Sequence, residues 1–107
     1  MPRIVQIIEG LPAATVRLAG TDTSQLLSAA YYFQNGRFAK TLLLTVESAQ
    51  LRIAFGGAVP TQGTSGLGHI LYVGDILELE SLEAIKTLRY INALNGQTAA
   101  FQLTLSF

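Results

Sequence analysis

The last nine residues alternate: Ala99, Phe101, Leu103, Leu105 and Phe107 are apolar, with Ala100, Gln102, Thr104 and Ser106 between them. Successive side chains of a β-strand point to opposite faces, so a period of two predicts a strand with the odd-numbered set against a core. The buried phase ends on Phe107, so the core face is expected to run to that residue. The same period places Leu51, Ile53 and Phe55 inward against Gln50, Arg52 and Ala54, and Ala14, Val16 and Leu18 inward against Thr15, Arg17 and Ala19. Leu77 and Leu79 oppose Glu78 and Glu80 in the same way. Each of these runs reads as a strand with one wet face.

Residues 40–47 break the rule by being apolar on both faces in the middle, which suits a central strand or one whose outer face meets a neighbouring subunit, and Leu43 is the residue that decides between them. Ser48-Ala49 predicts a short connection pairing 41–47 with 50–56 as a hairpin, and further strands are expected over 69–73 and 86–93. Asn95-Gly96 is a turn signal before the final strand, and Leu11-Pro12, Gly20-Thr21-Asp22 and Asn35-Gly36 punctuate the rest. The longest loop spans 56–66, rich in Gly, Pro, Thr and Ser without periodicity. Residues 24–30 have the composition of a helical turn or two with Thr23 as N-cap, whereas Tyr31-Tyr32-Phe33 favours a strand. Short strands every roughly 8 to 12 residues, separated by turns, predict an all-β chain: a single domain over 1–107, built as an antiparallel sandwich or jelly roll.

One core is what 107 residues can fill. Only 13% of them are charged, against a usual share of about 25%, while half are hydrophobic. A small domain has much surface to cover, and seven basic against seven acidic residues leave no net charge to keep copies apart. The composition therefore points to association with protein surfaces, first of all with other copies of the chain. It supplies no excess of Lys or Arg for a phosphate backbone and no polybasic stretch for a membrane, so neither nucleic acid nor membrane is an expected partner. Without cysteine there are no disulfides or thiolate metal sites. The opening Met1–Glu9 is too short and too interrupted for a signal-peptide core, so synthesis and folding in a cytoplasm are expected.

The chemistry-bearing residues are sparse, and no catalytic residue, metal ligand set or cofactor is expected. His69 is the lone histidine, and a metal site of the cupin kind needs two or three further ligands, so His69 reads as a structural residue at the start of a strand. Glu78, Glu80 and Glu83 read as an acidic sheet edge that resists further pairing rather than as an acid–base pair. Gly63-Thr64-Ser65-Gly66-Leu67-Gly68 has the glycines of a phosphate loop but not the Lys-Ser/Thr or the helix that should follow, and reads as a flexible loop able to order against a partner. Tyr31, Tyr32, Phe33 and Phe38, grouped with Asn35 and Arg37, are the residue types of interface hot spots and of sugar-stacking surfaces. An interface built from Tyr31, Tyr32, Phe33, Phe38 and Leu43 is the principal expectation. The alternative is a carbohydrate-binding module using Tyr31, Tyr32, Asn35 and Phe38.

Over its second half the chain resembles small β-sandwich structural proteins of tailed-bacteriophage virions. The resemblance rests on the order of features: 51–57 ending a strand at Gly56-Gly57, Pro60-Thr61 and a Gly-rich loop, Val73-Gly74-Asp75 leading into an alternating strand, then 85–93 and the closing strand 100–105. It implies a non-enzymatic virion component, in capsid decoration, a head-spike base or a tail, made in the host cytoplasm. It implies partners that are other copies, a homo-oligomer with a trimer among its admissible states, and other virion proteins. Residues 31–38 have no counterpart in the resemblance.

Overall fold

The structure, a computed structural model, describes residues 15–107. The readings of Met1–Glu9, Leu11-Pro12 and Ala14 lie outside the described residues. Among the described residues, ten strands and two short helices follow one another: β1 (Val16–Ala19), β2 (Gln25–Leu26), α1 (Ala29–Tyr32), β3 (Phe33–Gln34), β4 (Arg37–Phe38), β5 (Thr41–Val46), β6 (Leu51–Ala54), β7 (His69–Leu71), β8 (Ile76–Leu79), α2 (Leu82–Thr87), β9 (Arg89–Asn92) and β10 (Ala100–Ser106). All pairings are antiparallel.

One four-stranded sheet has the order β1-β10-β5-β8, the other β2-β9-β6-β7, and β3-β4 is a separate two-stranded hairpin. With that hairpin set aside, β1 pairs with β10, β2 with β9, β5 with β8 and β6 with β7, as in one long hairpin rolled up so that successive pairs fall in alternate sheets. The β10–β5 and β9–β6 ladders then close each sheet. This winding is a jelly roll, so the all-β expectation holds in its more specific form.

The connections gather at two ends. Thr45 pairs with Ile76 and Leu42 with Leu79, so the β7–β8 turn lies beside the Val46 end of β5, and α2 follows from the Thr41 end. The β1–β2, β5–β6, β7–β8 and β9–β10 connections share the first end; the segment with α1 and the β3–β4 hairpin, the β6–β7 loop and α2 share the second.

Burial explains the strands. Phe101, Leu103 and Leu105 from β10 meet Leu42, Leu44 and Val46 from β5 and, across the sandwich, Leu51 and Ile53 from β6 in one buried cluster. Tyr90 meets Phe101 edge-on, with ring centroids 5.0 Å apart and planes at 76°. Ala99 is buried as the alternation requires, and Phe107 packs half-buried against the same core.

Four sequence expectations change. The 41–47 and 50–56 runs do not pair as a hairpin: β5 and β6 lie in opposite sheets, because both edges of β5 are taken by β10 and β8 and both edges of β6 by β9 and β7. The connection arches between the sheets, and Ser48 holds it by donating to Thr98 O (2.8 Å) and accepting from Ala100 N–H (2.9 Å). Second, β6 is buried on both faces, Arg52 and Ala54 included, since the long loop folds over its outer side. Third, Lys86 and Thr87 belong to α2, which Ser81 caps by accepting from Ala84 N–H (3.3 Å), with Glu83 in the first turn and Lys86 in the last. Its Ile85, and Leu88 just beyond it, both turn into the core at helical spacing, and the strand begins only at Arg89. Fourth, Thr23 is not a helix cap. Residues 25–27 continue the sheet, with Leu27 N–H donating to Leu88 O (3.1 Å), and Ser28 caps α1 by accepting from Ala30 N–H (3.2 Å), so Tyr31 and Tyr32 are helical and the strand starts at Phe33.

Candidate functional site

Asn35-Gly36 closes the β3–β4 hairpin with φ of +53° and +75°, the left-handed pair that a two-residue turn of the primed type demands. That turn places Phe33 directly across from Phe38, with centroids 4.6 Å apart. Both rings stay open to solvent, 44% and 47% exposed, on a hairpin that adds no strand to either main sheet. Tyr32 stacks on Phe38 at 6.5 Å, and the Lys86 ammonium from α2 sits 5.7 Å over the Phe38 ring. Tyr31 and Tyr32 are half-buried and pack against the core, so the aromatic group divides into an anchoring pair and an exposed pair.

Leu43 is elsewhere. It lies half-buried on the outer face of the first sheet between Thr104 of β10 and Glu78 of β8. It does not join the aromatic hairpin, although the two-faced character read in its strand is present. Glu78 does lie on an edge strand, since β8 ends the first sheet, whereas Glu83 belongs to α2.

The 55–68 loop is ordered by its own sheet. Arg52 is only 4% exposed, and its guanidinium donates to the carbonyls of Gly63 (2.7 Å), Gly66 (3.1 Å) and Gly68 (2.9 Å). A phosphate loop converges N–H groups on an anion; here carbonyls converge on a cation, the opposite polarity. Gly68 has φ +116°, and a Cβ there would stand 2.6 Å from Ile53 O, so only glycine lets the loop approach β6 this closely. Arg52 Nε is left without a partner, and no sequence signal beyond an Arg at an alternating position marked this residue.

His69 opens β7, where the sequence placed it, and its side chain is exposed at the rim of a cavity of about 310 Å³ lined by Ala54, Phe55, Ala58, Leu67 and Gly68. The lining offers one imidazole among apolar groups, which is poor in convergent polar chemistry. Among the described residues, no three His, Asp or Glu side chains converge as a metal site would need.

At the first end, Asp22 accepts from Gln62 Nε2 (2.8 Å), Gly96 N–H (3.1 Å) and Asn92 Nδ2 (3.4 Å), tying the β1–β2 connection to the long loop and to the Asn95-Gly96 turn. The buried Asn92 also donates to Gln97 O and accepts from Ala99 N–H (3.0 Å). The Gln62 amide, then the Gly96 N–H, hold the Asp22 carboxyl below its ordinary value of 3.8. A depressed folded-state value means that the carboxylate's contribution is present above the unfolded value and disappears as pH falls through the folded one. Exchange protection of the Gly96 amide is therefore expected to persist at pH 3.8 and to decline only in stronger acid. Asp22→Ala should remove that acid transition; an NMR titration placing the Asp22 midpoint at or above 3.8 would contradict it.

The exposed apolar residues Leu26, Tyr72, Val73 and Ile76 are further surface features that sequence periodicity did not single out. Comparison of the chain with protein-family models, with curated proteins and with solved structures found no match.

Proposed function

We propose that this chain is a non-enzymatic structural protein of a tailed-bacteriophage particle, one that self-associates and packs onto a larger assembly through its aromatic hairpin. The observation that carries the reading is the pair Phe33 and Phe38, two large rings held open to solvent by a turn, a stacked tyrosine and a lysine. A protein without a partner gains nothing by presenting two rigid aromatics, whereas such anchors dominate interface energetics. The low charge of the whole chain supports the same reading. The jelly roll is an architecture of viral capsid proteins, which supports the particle assignment by fold analogy, and lectins and cupins share it.

Sedimentation of the purified chain tests self-association. Oligomers are expected at micromolar concentration, and Phe33→Ser with Phe38→Ser should weaken association by about 10- to 100-fold, since full burial of a ring is worth about 1.5–3 kcal/mol and association covers the roughly half of each that is exposed. A wild-type chain that sediments as a monomer throughout would remove the reading. Detection of the chain in purified particles tests the virion assignment, and its absence there would leave self-association without that location.

A further inference from the structure

Among the described residues, and apart from the loop over β6, the large exposed apolar side chains lie at the two ends of the jelly roll. Leu26, Phe33 and Phe38 lie at the end that holds α1, α2 and the hairpin, and Val59 and Leu67 lie on the loop that covers β6. Tyr72, Val73, Ile76 and Leu94 lie at the other, where Tyr72 and Val73 are 54% and 56% exposed on the β7–β8 turn. The six residues of β5 separate the two groups, a distance of about 17–20 Å.

Charge divides the same way. The connections at the β7–β8 end contain Asp22, Glu47 and Asp75 and no Lys or Arg; Glu47 is bridged by Arg17 of β1 (3.1 Å). The connections at the hairpin end contain Arg37, Lys40 and Lys86 against Glu80 and Glu83, and Arg89 opens β9 beside them, so this end is net positive. Each end thus combines exposed apolar side chains with a net charge, and the two net charges are opposite.

We infer that copies of this chain associate head to tail, the hairpin end of one docking on the β7–β8 end of the next. Hairpin against hairpin would set two net-positive ends together, and the opposite ends would set Asp22 and Asp75 against their own kind; the mixed pairing is the one that joins ends of opposite net charge. Such an interface is heterologous: it leaves one patch of each kind open on any linear oligomer, and it closes only as a ring or continues as a filament. A three-membered ring is one closed form. The inference rests on the self-association proposed above and names its partner surface and polarity.

The test is complementation between two truncated ends. Phe33→Ser/Phe38→Ser removes the hairpin patch and Tyr72→Ser/Val73→Ser removes the other, neither touching a residue buried in the core. Each double variant alone should sediment as a monomer with an unchanged melting temperature. Their equimolar mixture should give a 1:1 heterodimer and nothing larger, because one intact patch of each kind remains. Amine–carboxyl cross-linking of the wild-type chain provides a measurement independent of variant folding, and Lys40 or Lys86 of one copy should join Asp75 or Asp22 of another. If the Tyr72→Ser/Val73→Ser variant assembles like wild type while the hairpin variant is monomeric, or if cross-links join hairpin end to hairpin end, the head-to-tail arrangement is overturned and self-association stands. A monomeric wild-type chain overturns both.

Discussion

Deleting Leu103 through Phe107 is expected to leave a chain that does not fold. The deletion removes Leu103 and Leu105, both buried, and the half-buried Phe107. It also removes most of the β10–β5 ladder, from Leu103↔Leu44 to Ser106↔Thr41, and the Val16↔Leu103 pair with β1. At about 1.5–3 kcal/mol for each fully buried large side chain the apolar loss alone is about 4–7 kcal/mol, comparable with the whole stability of a small domain. The position of β10 makes the loss cooperative, because it lies between β1 and β5 and its absence leaves two strands with an unpaired edge inside the sheet. Circular dichroism and one-dimensional NMR would check this. A soluble truncated chain with the wild-type melting temperature would mean that β10 does not close the first sheet.

Arg52→Met should cost about 3 kcal/mol or more and should release the 55–68 loop before the sheets unfold. The guanidinium is the shared donor to three carbonyls, of which Gly63 O keeps the Gly66 N–H (3.2 Å); each of the other two left without that donor costs about 1–3 kcal/mol, partly relieved where the loop can turn to water. Met retains the apolar stem, so lost packing is not the main term. The amides of Thr61 and Gly63, which donate to Leu67 O (3.1 Å) and Ala93 O (3.0 Å), should exchange far faster than those of β5 and β10. Arg52→Lys should recover part of the loss, because an ammonium supplies donors without the planar fork. A variant with wild-type denaturant midpoint and unchanged exchange at Thr61 would show that the loop holds itself.

Much of the architecture is local and therefore legible. Period-two burial in 101–105, which Ala100 and Ser106 break by being buried as well, and the two-faced run around Leu43 are properties of a strand and its immediate surroundings, and both appear in β10 and β5. The Asn35-Gly36 signal was also sufficient, since only residues that accept positive φ close such a turn. Ser81 followed by Glu83 was a readable helix start, missed because the apolar residues after it also fit a strand. The aromatic group was visible as composition; its division into half-buried Tyr31 and Tyr32 and exposed Phe33 and Phe38 was not, because that depends on where α1 stops.

Alternation along the chain was enough to establish strands, their inward residues and an all-β layering, because a strand's two faces are set by its own backbone. It carried no information about partners. Whether 41–47 pairs with 50–56 or arches over it depends on which edges other strands have already occupied, and these are contributed by β8, β9 and β10, far along the chain. Arg52 stands at a position that reads as wet, and only the fold brings Gly63, Gly66 and Gly68 over it. The opposite charge of the two ends is likewise invisible in a chain of formal net charge zero, since it arises when the jelly roll sorts successive connections alternately to one end and the other.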